Sequence, residues 1–592
     1  MLKTLKYLRA REWTMVGGAI VFIVLQVFLD LKMPDYMSEL TMLVQTEGST
    51  MNQMLSVGGL MLLCALGSLL SAFIVGYFAA RVAATLGARL REATFNKVLD
   101  LPMAETDKFS TSSLITRSTN DVTQVQQLVA MGLQVTIKAP IMAIWAIVKI
   151  AGKQWQWTLV TGCAVAVLIA ILAVIIVFAV PRFTKVQKQT DELNAAVREN
   201  LTGLRVVRAY NAEEYQQDKF EAVNTKLTKT NLFVNRLTAL MQPSMSMVNS
   251  GLTLGIYWVG AILISAAGAG AGLALFTDMV VFSSYAMQVI MGFMMLTMIF
   301  IMLPRAQVSA RRINEVLETE SSIVDGNHAR QPDEPKGLIE FKNVSFHYPD
   351  TDKEGEGEAV LQDISFQVEK GQTLAIIGAT GSGKSTLINL IPRFYDATEG
   401  QVLVDGVDVK DYSLNELRSK LGYISQRTVL FSGTVESNIA YGDNGGPDPG
   451  AEEVEKAAEI AQATEFVENL EGAYHAPVAQ GGSNFSGGQK QRISIARAVC
   501  RNPEIMIFDD SFSALDYRTD RNLRQALNRE LSDTTRIIVA QRIGTIKDAD
   551  TILVMDEGRI VGSGTHAELL KTCEVYQEIA SSQLTREELD VG

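Results

Sequence analysis

The stretch "TLAIIGATGSGKST" spans residues 373–386. Its first half is an unbroken apolar run, which reads as a buried strand. Its second half is G-x-x-x-x-G-K-S, formed by Gly378, Ala379, Thr380, Gly381, Ser382, Gly383, Lys384 and Ser385, with Thr386 after it. Gly378, Gly381 and Gly383 let the backbone wrap phosphates with its N–H groups at the start of a helix. Lys384 is placed to neutralise β- and γ-phosphates, and the Ser385 hydroxyl to ligate Mg²⁺. Lying behind a strand and ahead of "LINLI", the motif makes the C-terminal part an α/β nucleotide-binding domain of the phosphate-loop NTPase class.

Two further segments extend the reading. "EIMIFDD" (504–510) is a second apolar strand ending in acid, and Asp509 is expected to hold Mg²⁺ through water. A strand-end aspartate is structural more often than not; its place downstream of a phosphate loop is what gives it weight. "NFSGGQKQR" (484–492) sets Ser486, Gly487, Gly488 and Gln489 at the start of a helix, a second anion-binding helix terminus. One phosphate loop does not need two such cradles. The second is expected to serve a nucleotide held by another domain.

Upstream the composition changes. The chain has 592 residues, 47% of them hydrophobic and 20% charged, too long for one domain. Residues 1–330 carry a small positive excess and the remainder a larger negative one, which together make the net −12. An acidic soluble half argues against nucleic acid as a partner. The four cysteines, Cys64, Cys163, Cys500 and Cys573, are scattered as in a reducing compartment or a membrane. Runs long enough to cross a bilayer occur at 51–80, 154–181, 237–277 and 279–304, with a shorter run at 13–29 and a weaker one at 122–150 that Lys138 interrupts. A helix projecting beyond the bilayer would place Lys138 near the headgroups. A turn is expected at "SAAGAGAG" (265–272).

Six spans put the basic clusters around Arg9, Arg89, Arg182 and Arg311 on one side, so both termini are expected in the cytoplasm of a multi-pass membrane protein. "MLKTLKYLRAREW" reads as an amphipathic surface helix rather than a cleavable leader. Leu193, Val197, Leu201, Leu204 and Val207 recur at helical spacing, so the spans continue as helices into the cytosol. The hairpin tips fall at "KFSTSSLIT" (108–116) and "AYNAEEY" (209–215), either of which also reads as an ordinary solvated turn. Met287, Met291, Met294, Met295, Met298 and Met302 form a stripe on the last span; ordinary helix packing is the favoured reading, and a wall for ligands of varied shape the sharper one. The expected division is an N-terminal elbow (1–12), an all-α six-helix membrane domain (13–303), a linker (304–338), the nucleotide-binding domain (339–580) and an acidic tail (581–592).

With these motifs in hand, the chain resembles a half-transporter of the ATP-binding cassette exporter family, in which six spans are fused to one nucleotide-binding domain. The resemblance implies two domains sandwiching two ATP and Mg²⁺, each between one domain's phosphate loop and the other's signature motif. Ser486, Gly487, Gly488 and Gln489 would then contact the partner's ATP. Tyr348 in "FHYPD" would stack on adenine, Gln426 in "GYISQ" would sense Mg²⁺, and Asp516 in "SALD" would communicate between sites. Without the family, Tyr348 is a strand-end aromatic and Gln426 a surface amide.

The chain departs from the family pattern at Asp510, where a catalytic glutamate is usual, and at Gln541 in "IIVAQR", where a histidine is usual. All four histidines (His328, His347, His475 and His566) lie elsewhere, and Gln480 replaces another usual glutamate. Asp510 is one methylene short of a well-placed general base, a function worth about 10²–10⁴-fold. Gln541 cannot become cationic. Lys384, Asp510 and Gln541 are thus the catalytic set of a slow site, while the signature is intact. The combination resembles the degenerate-site subunit of heterodimeric bacterial multidrug exporters. The implied partner is a second half-transporter with consensus Glu and His and an altered signature, membrane lipids surround the spans, and the implied cargo is hydrophobic small molecules moved out across the cytoplasmic membrane. A homodimeric lipid or peptide exporter, or an ATP-gated regulator or channel, are the alternatives.

Overall fold

The computed structural model of the chain describes residues 2–46, 48–151, 153–327, 336–349 and 356–583. Part of the expected linker with His328, most of the expected acidic tail, and the Met298 side chain lie outside the described residues. The chain divides into two compact units, Met1–Leu99 with Ser112–Glu318, and Asp100–Thr111 with Thr319–Gly592.

The first unit is helical. Among the described residues, six helices are long and apolar enough to cross a membrane: Ala10–Val44, Met51–Asp100, Thr111–Ala151, Trp155–Thr202, Glu213–Ala267 and Gly272–Leu296. This agrees with the six expected spans. Helical backbone is continuous across Met241–Glu318, reaching into the stretch expected as linker. It nevertheless doubles back. A Cβ on Gly260 would collide with the Met279 sulfur, and one on Gly272 would lie 3.3 Å from Ile264 Cγ2. On a straight helix residues 260 and 279 would stand about 28 Å apart. The reversal falls in the glycine-rich stretch.

Lys138 is compensated in a way the sequence pattern did not indicate. Its Nζ lies 3.2 Å from Asp30 Oδ2, on the first span. The unit's core gathers Trp157, Phe282, Tyr285 and Ile256, all fully buried. Met294 and Met295 pack against it, whereas Met287 and Met291 are exposed, so the methionine stripe divides between packing and open surface.

The second unit holds strands β1 Ile339–Pro349, β2 Glu356–Val368, β3 Thr373–Gly378, β4 Glu399–Val404, β5 Val407–Asp408, β6 Leu421–Ile424, β7 Gly433–Thr434, β8 Pro477–Val478, β9 Ile505–Asp509, β10 Thr535–Val539, β11 Thr551–Asp556 and β12 Arg559–Gly564. One sheet runs β2-β1-β4-β5 and is antiparallel. The main sheet runs β12-β11-β3-β10-β9-β6, parallel except at β12. Its central parallel strands are apolar on both faces, as a covered parallel sheet requires. Alternation sends Leu374, Ile376, Ile505, Ile507, Ile537 and Val539 into one core, and Ala375, Ile377, Met506, Phe508 and Ile538 into the other. The fully buried Lys420–Asp405 ion pair, at 2.7 Å, links the end of β4 to the start of β6.

Candidate nucleotide site

The topology explains why residues far apart in sequence meet. In the main sheet, β3, β10, β9 and β6 are successive neighbours, all parallel. Register pairs Ile376 with Val539, Val539 with Asp509, and Ile424 with Phe508, so the carboxyl ends of the four strands line up. The phosphate-binding motif follows β3, Gln541 follows β10, Asp510 follows β9 and Gln426 follows β6. Open α/β sheets bind ligands at this edge.

The loop after β3 is shaped by its glycines. Gly381 and Gly383 sit at φ +86° and +93°, left-handed conformations that favour glycine. At Gly378 the reason is proximity: a Cβ would strike the Met555 carbonyl of neighbouring β11. Lys384 opens a short helix and folds back over the loop, its Nζ donating to the carbonyls of Gly378 at 2.9 Å and Ala379 at 2.7 Å. Desolvation holds its pKa below the usual lysine value, against the pull of Asp510 and Asp509. The Ser385 hydroxyl donates to Asp509 Oδ1 at 2.9 Å. Burial raises the Asp509 pKa above the ordinary carboxylate value.

This donor set fits a nucleoside triphosphate with Mg²⁺. Beyond a would-be Cβ on Gly381 there is open space for 4 Å, so the cradle is not closed by protein. Lys384 is held by loop carbonyls, contacts that a phosphate would replace with stronger charge-assisted ones. Among the described residues no cluster of three or more His, Cys, Asp or Glu could hold a metal. A hydroxyl beside one carboxylate is what Mg²⁺ uses when substrate phosphates and water complete its shell.

Asp510 is in the left-handed region at φ +47°, which aspartate tolerates better than most residues. Gln541 Nε2 donates to its Oδ2 at 3.0 Å, and Gln426 Nε2 lies 3.5 Å from the same atom. Sequence reasoning named all three residues but did not foresee that both amides converge on one carboxylate oxygen. Tyr348 is half-exposed, with its hydroxyl 3.0 Å from Thr386 Oγ1 and its ring edge-on to Tyr395 at 5.2 Å between centroids. Tyr395, which the motif search passed over, donates its hydroxyl to Asp107 at 2.9 Å. No local pattern marks it.

Ser486 is not brought to this cluster by any hydrogen bond. It caps the helix Gly487–Cys500 in a reciprocal box, accepting from Gln489 N–H at 3.4 Å while Gln489 Oε1 accepts from Ser486 N–H at 2.9 Å. Ser486 and Gly487 are exposed, and a Cβ on Gly487 would meet nothing within 4 Å. Asp516 caps the next helix, Tyr517–Glu530. The Thr519 hydroxyl and N–H donate to it at 2.7 and 3.0 Å and hold its pKa below the usual range.

Comparison with known proteins fits this arrangement. Residues 16–305 match the family model described as ABC transporter transmembrane region, and residues 361–513 the model described as ABC transporter. An ABC transporter ATP-binding protein of Mycobacterium tuberculosis, itself described as uncharacterised, is 41% identical over 90% of this chain and 88% of its own length. The ATP-dependent lipid A-core flippase of Pseudomonas aeruginosa is 35% identical over 85% of this chain and 80% of its own. Among solved structures, a bacterial Atm1-family ABC exporter with ATP bound superposes with a TM-score of 0.77 at 25% identity, covering 97% of this chain and 99% of that one. Tyr348, Asp516 and Gln541 lie outside the residues matched by the second model. Six apolar helices, a phosphate loop at the carboxyl edge of a parallel sheet and relatives matched over most of their length place this chain in the ABC transporter family, as a multi-pass membrane exporter with a cytoplasmic ATP-hydrolysing domain.

Proposed function

We propose that the chain is one subunit of a heterodimeric exporter and that its own ATP site turns over slowly. Gly378–Thr386 and Tyr348 would hold ATP, Ser385, Asp509 and Gln426 would set Mg²⁺, and Asp516 would communicate between sites. Ser486, Gly487, Gly488 and Gln489 would complete the partner's competent site. The observation that carries the reading is the hydrogen bond that the Gln541 amide donates to Asp510. A general base must offer an oxygen to the attacking water. Here the shortened carboxylate is engaged by Gln541, a neutral donor that cannot share a proton as histidine does. Mg²⁺ would supply charge neutralisation on the phosphates, and Lys384 would add to it.

The expected result is that the purified chain binds ATP but releases phosphate slowly, and that a partner bearing glutamate and histidine at the matching positions restores turnover. Brisk hydrolysis by the lone subunit would overturn the slow-site reading. Hydrophobic compounds are the proposed cargo. A second reading is a homodimer moving lipid; its lipid cargo, though not its oligomeric state, is supported by the similarity to ATP-dependent lipid A-core flippases.

A further inference from the structure

The helical unit contains a cavity of 410 Å³ whose wall includes Met33, Met37, Met61, Met142, Met291 and Met295. Four of the spans contribute to it. Methionine is flexible and polarizable, so such a wall accommodates apolar chains of varied shape. Set into it are the only charges among the described lining residues, Asp30 and Lys138, which are paired to each other and only 26% and 19% exposed.

The chemistry at that pair follows from one residue. Pro34 has no N–H, so the carbonyl of Asp30, four residues earlier, loses its helical donor. Gln288 on the last span takes that carbonyl, its Nε2 lying 3.4 Å away. The amide is thereby oriented, and its Oε1 is left buried with no hydrogen-bond partner. A buried acceptor without a donor is costly, and a small turn of the amide toward the cavity would let a ligand N–H relieve it. Ser68 donates to the other Asp30 oxygen at 2.5 Å, so the carboxylate stays held when Lys138 moves away.

We infer that this cavity binds a zwitterionic amphiphile, its ammonium between Asp30 and Gln288 Oε1, its anionic group on Lys138 and its apolar chain along the methionines. Charge balance selects the class. The site sums to zero, so a ligand of net charge leaves one charge unmatched in an apolar wall. A purely apolar ligand leaves the Gln288 oxygen unpaired. Opposite charges a few ångströms apart match Asp30 and Lys138 and also supply the donor that the Gln288 oxygen lacks. The inference rests on the exporter reading for its meaning in transport, but binding requires no turnover.

The same chemistry is offered by an aminophospholipid headgroup and by an apolar peptide with free ends. The test therefore titrates the full chain, in neutral maltoside micelles without nucleotide, with five probes. These are lysophosphatidylethanolamine, lysophosphatidylglycerol, a primary alkylammonium of equal chain length, an apolar tetrapeptide with free ends and the same peptide with capped ends. Tighter binding of lysophosphatidylethanolamine, or of the free-ended over the capped peptide, supports the inference and tells the two sources apart.

D30N should shift preference about ten-fold toward the anionic probe, and K138Q about ten-fold toward the cationic one, the scale of one charge-assisted hydrogen bond. D30N/K138Q keeps a hydrogen-bonded neutral pair, so it should fold while losing the preference for zwitterions. Equal binding of all probes, or selectivity unmoved by either charge removal in protein that melts like the parent, would overturn the assignment. Failure of the exporter reading would show instead in ATP-driven transport.

Discussion

At Asp510 the side chain's length and its neighbour act together, and neither alone accounts for a slow site. D510E lengthens the arm toward the attacking water but leaves Gln541 donating to it, so phosphate release by the chain should rise only partially. D510E/Q541H should rise further, toward the 10²–10⁴-fold that a positioned base contributes. Full recovery from D510E alone would make Gln541 irrelevant. The left-handed backbone at this residue suits aspartate better than glutamate, so D510E should also melt slightly earlier. One residue earlier, burial lifts the Asp509 pKa above its ordinary 3.8. The folded state then binds the proton more tightly than the unfolded one, so this carboxylate costs nothing below about pH 3.8 and weighs increasingly against the nucleotide-free fold as pH rises through the folded pKa. D509N should raise the melting temperature of the nucleotide-free protein at neutral pH and abolish the extra stabilisation by Mg²⁺–ATP. Parallel melts with and without Mg²⁺ read both effects.

Among elements, the main sheet shows what a linear reading catches and what it misses. The strands before Gly378 and Asp509 were legible because apolar runs ending in glycine or acid are local patterns. The convergence of Gln426 and Gln541 was not, because it depends on β6, β9, β10 and β3 being neighbours in that order, which is set by packing rather than by any one segment. Lys138 was legible as an anomaly only; its partner lies 108 positions away on another helix. Lys420 and Asp405 belong to the same class, two ordinary-looking surface residues in the sequence that the fold buries completely. K420M removes the cation and strands a carboxylate at zero exposure, which should destabilise the domain by about 3–5 kcal/mol. K420M/D405L, which removes both charges, should recover much of that. Denaturant melts of the full chain, followed through the nucleotide-binding unit, distinguish these outcomes. K420M without effect would mean that water already reaches and solvates the Asp405 carboxylate, and with it Glu504, which lies 3.8 Å from the same Lys420 nitrogen.

For the whole molecule, the decisive property is whether the two ATP sites of the assembly are alike, and the exposed helix start at Ser486 provides the lever. In a heterodimer of the proposed kind, this chain's Asp510 belongs to the slow site and its Ser486 to the fast one. In a homodimer each composite site would contain both residues, one from each copy. S486W projects bulk from an exposed helix start with open space beside it and gives up a cap worth about 1 kcal/mol to the helix, which S486G retains to within a few tenths. With the partner present, S486W should cut turnover on the order of 10²-fold, the scale of losing a preorganised donor at a reacting phosphate, while D510A should lower it only slightly. S486G separates the capping contribution from the obstruction of the neighbouring site. Equal losses from S486W and D510A would indicate two equivalent sites and favour the homodimer. A loss from D510A alone would place the fast chemistry in this chain's own phosphate loop and reverse the asymmetry.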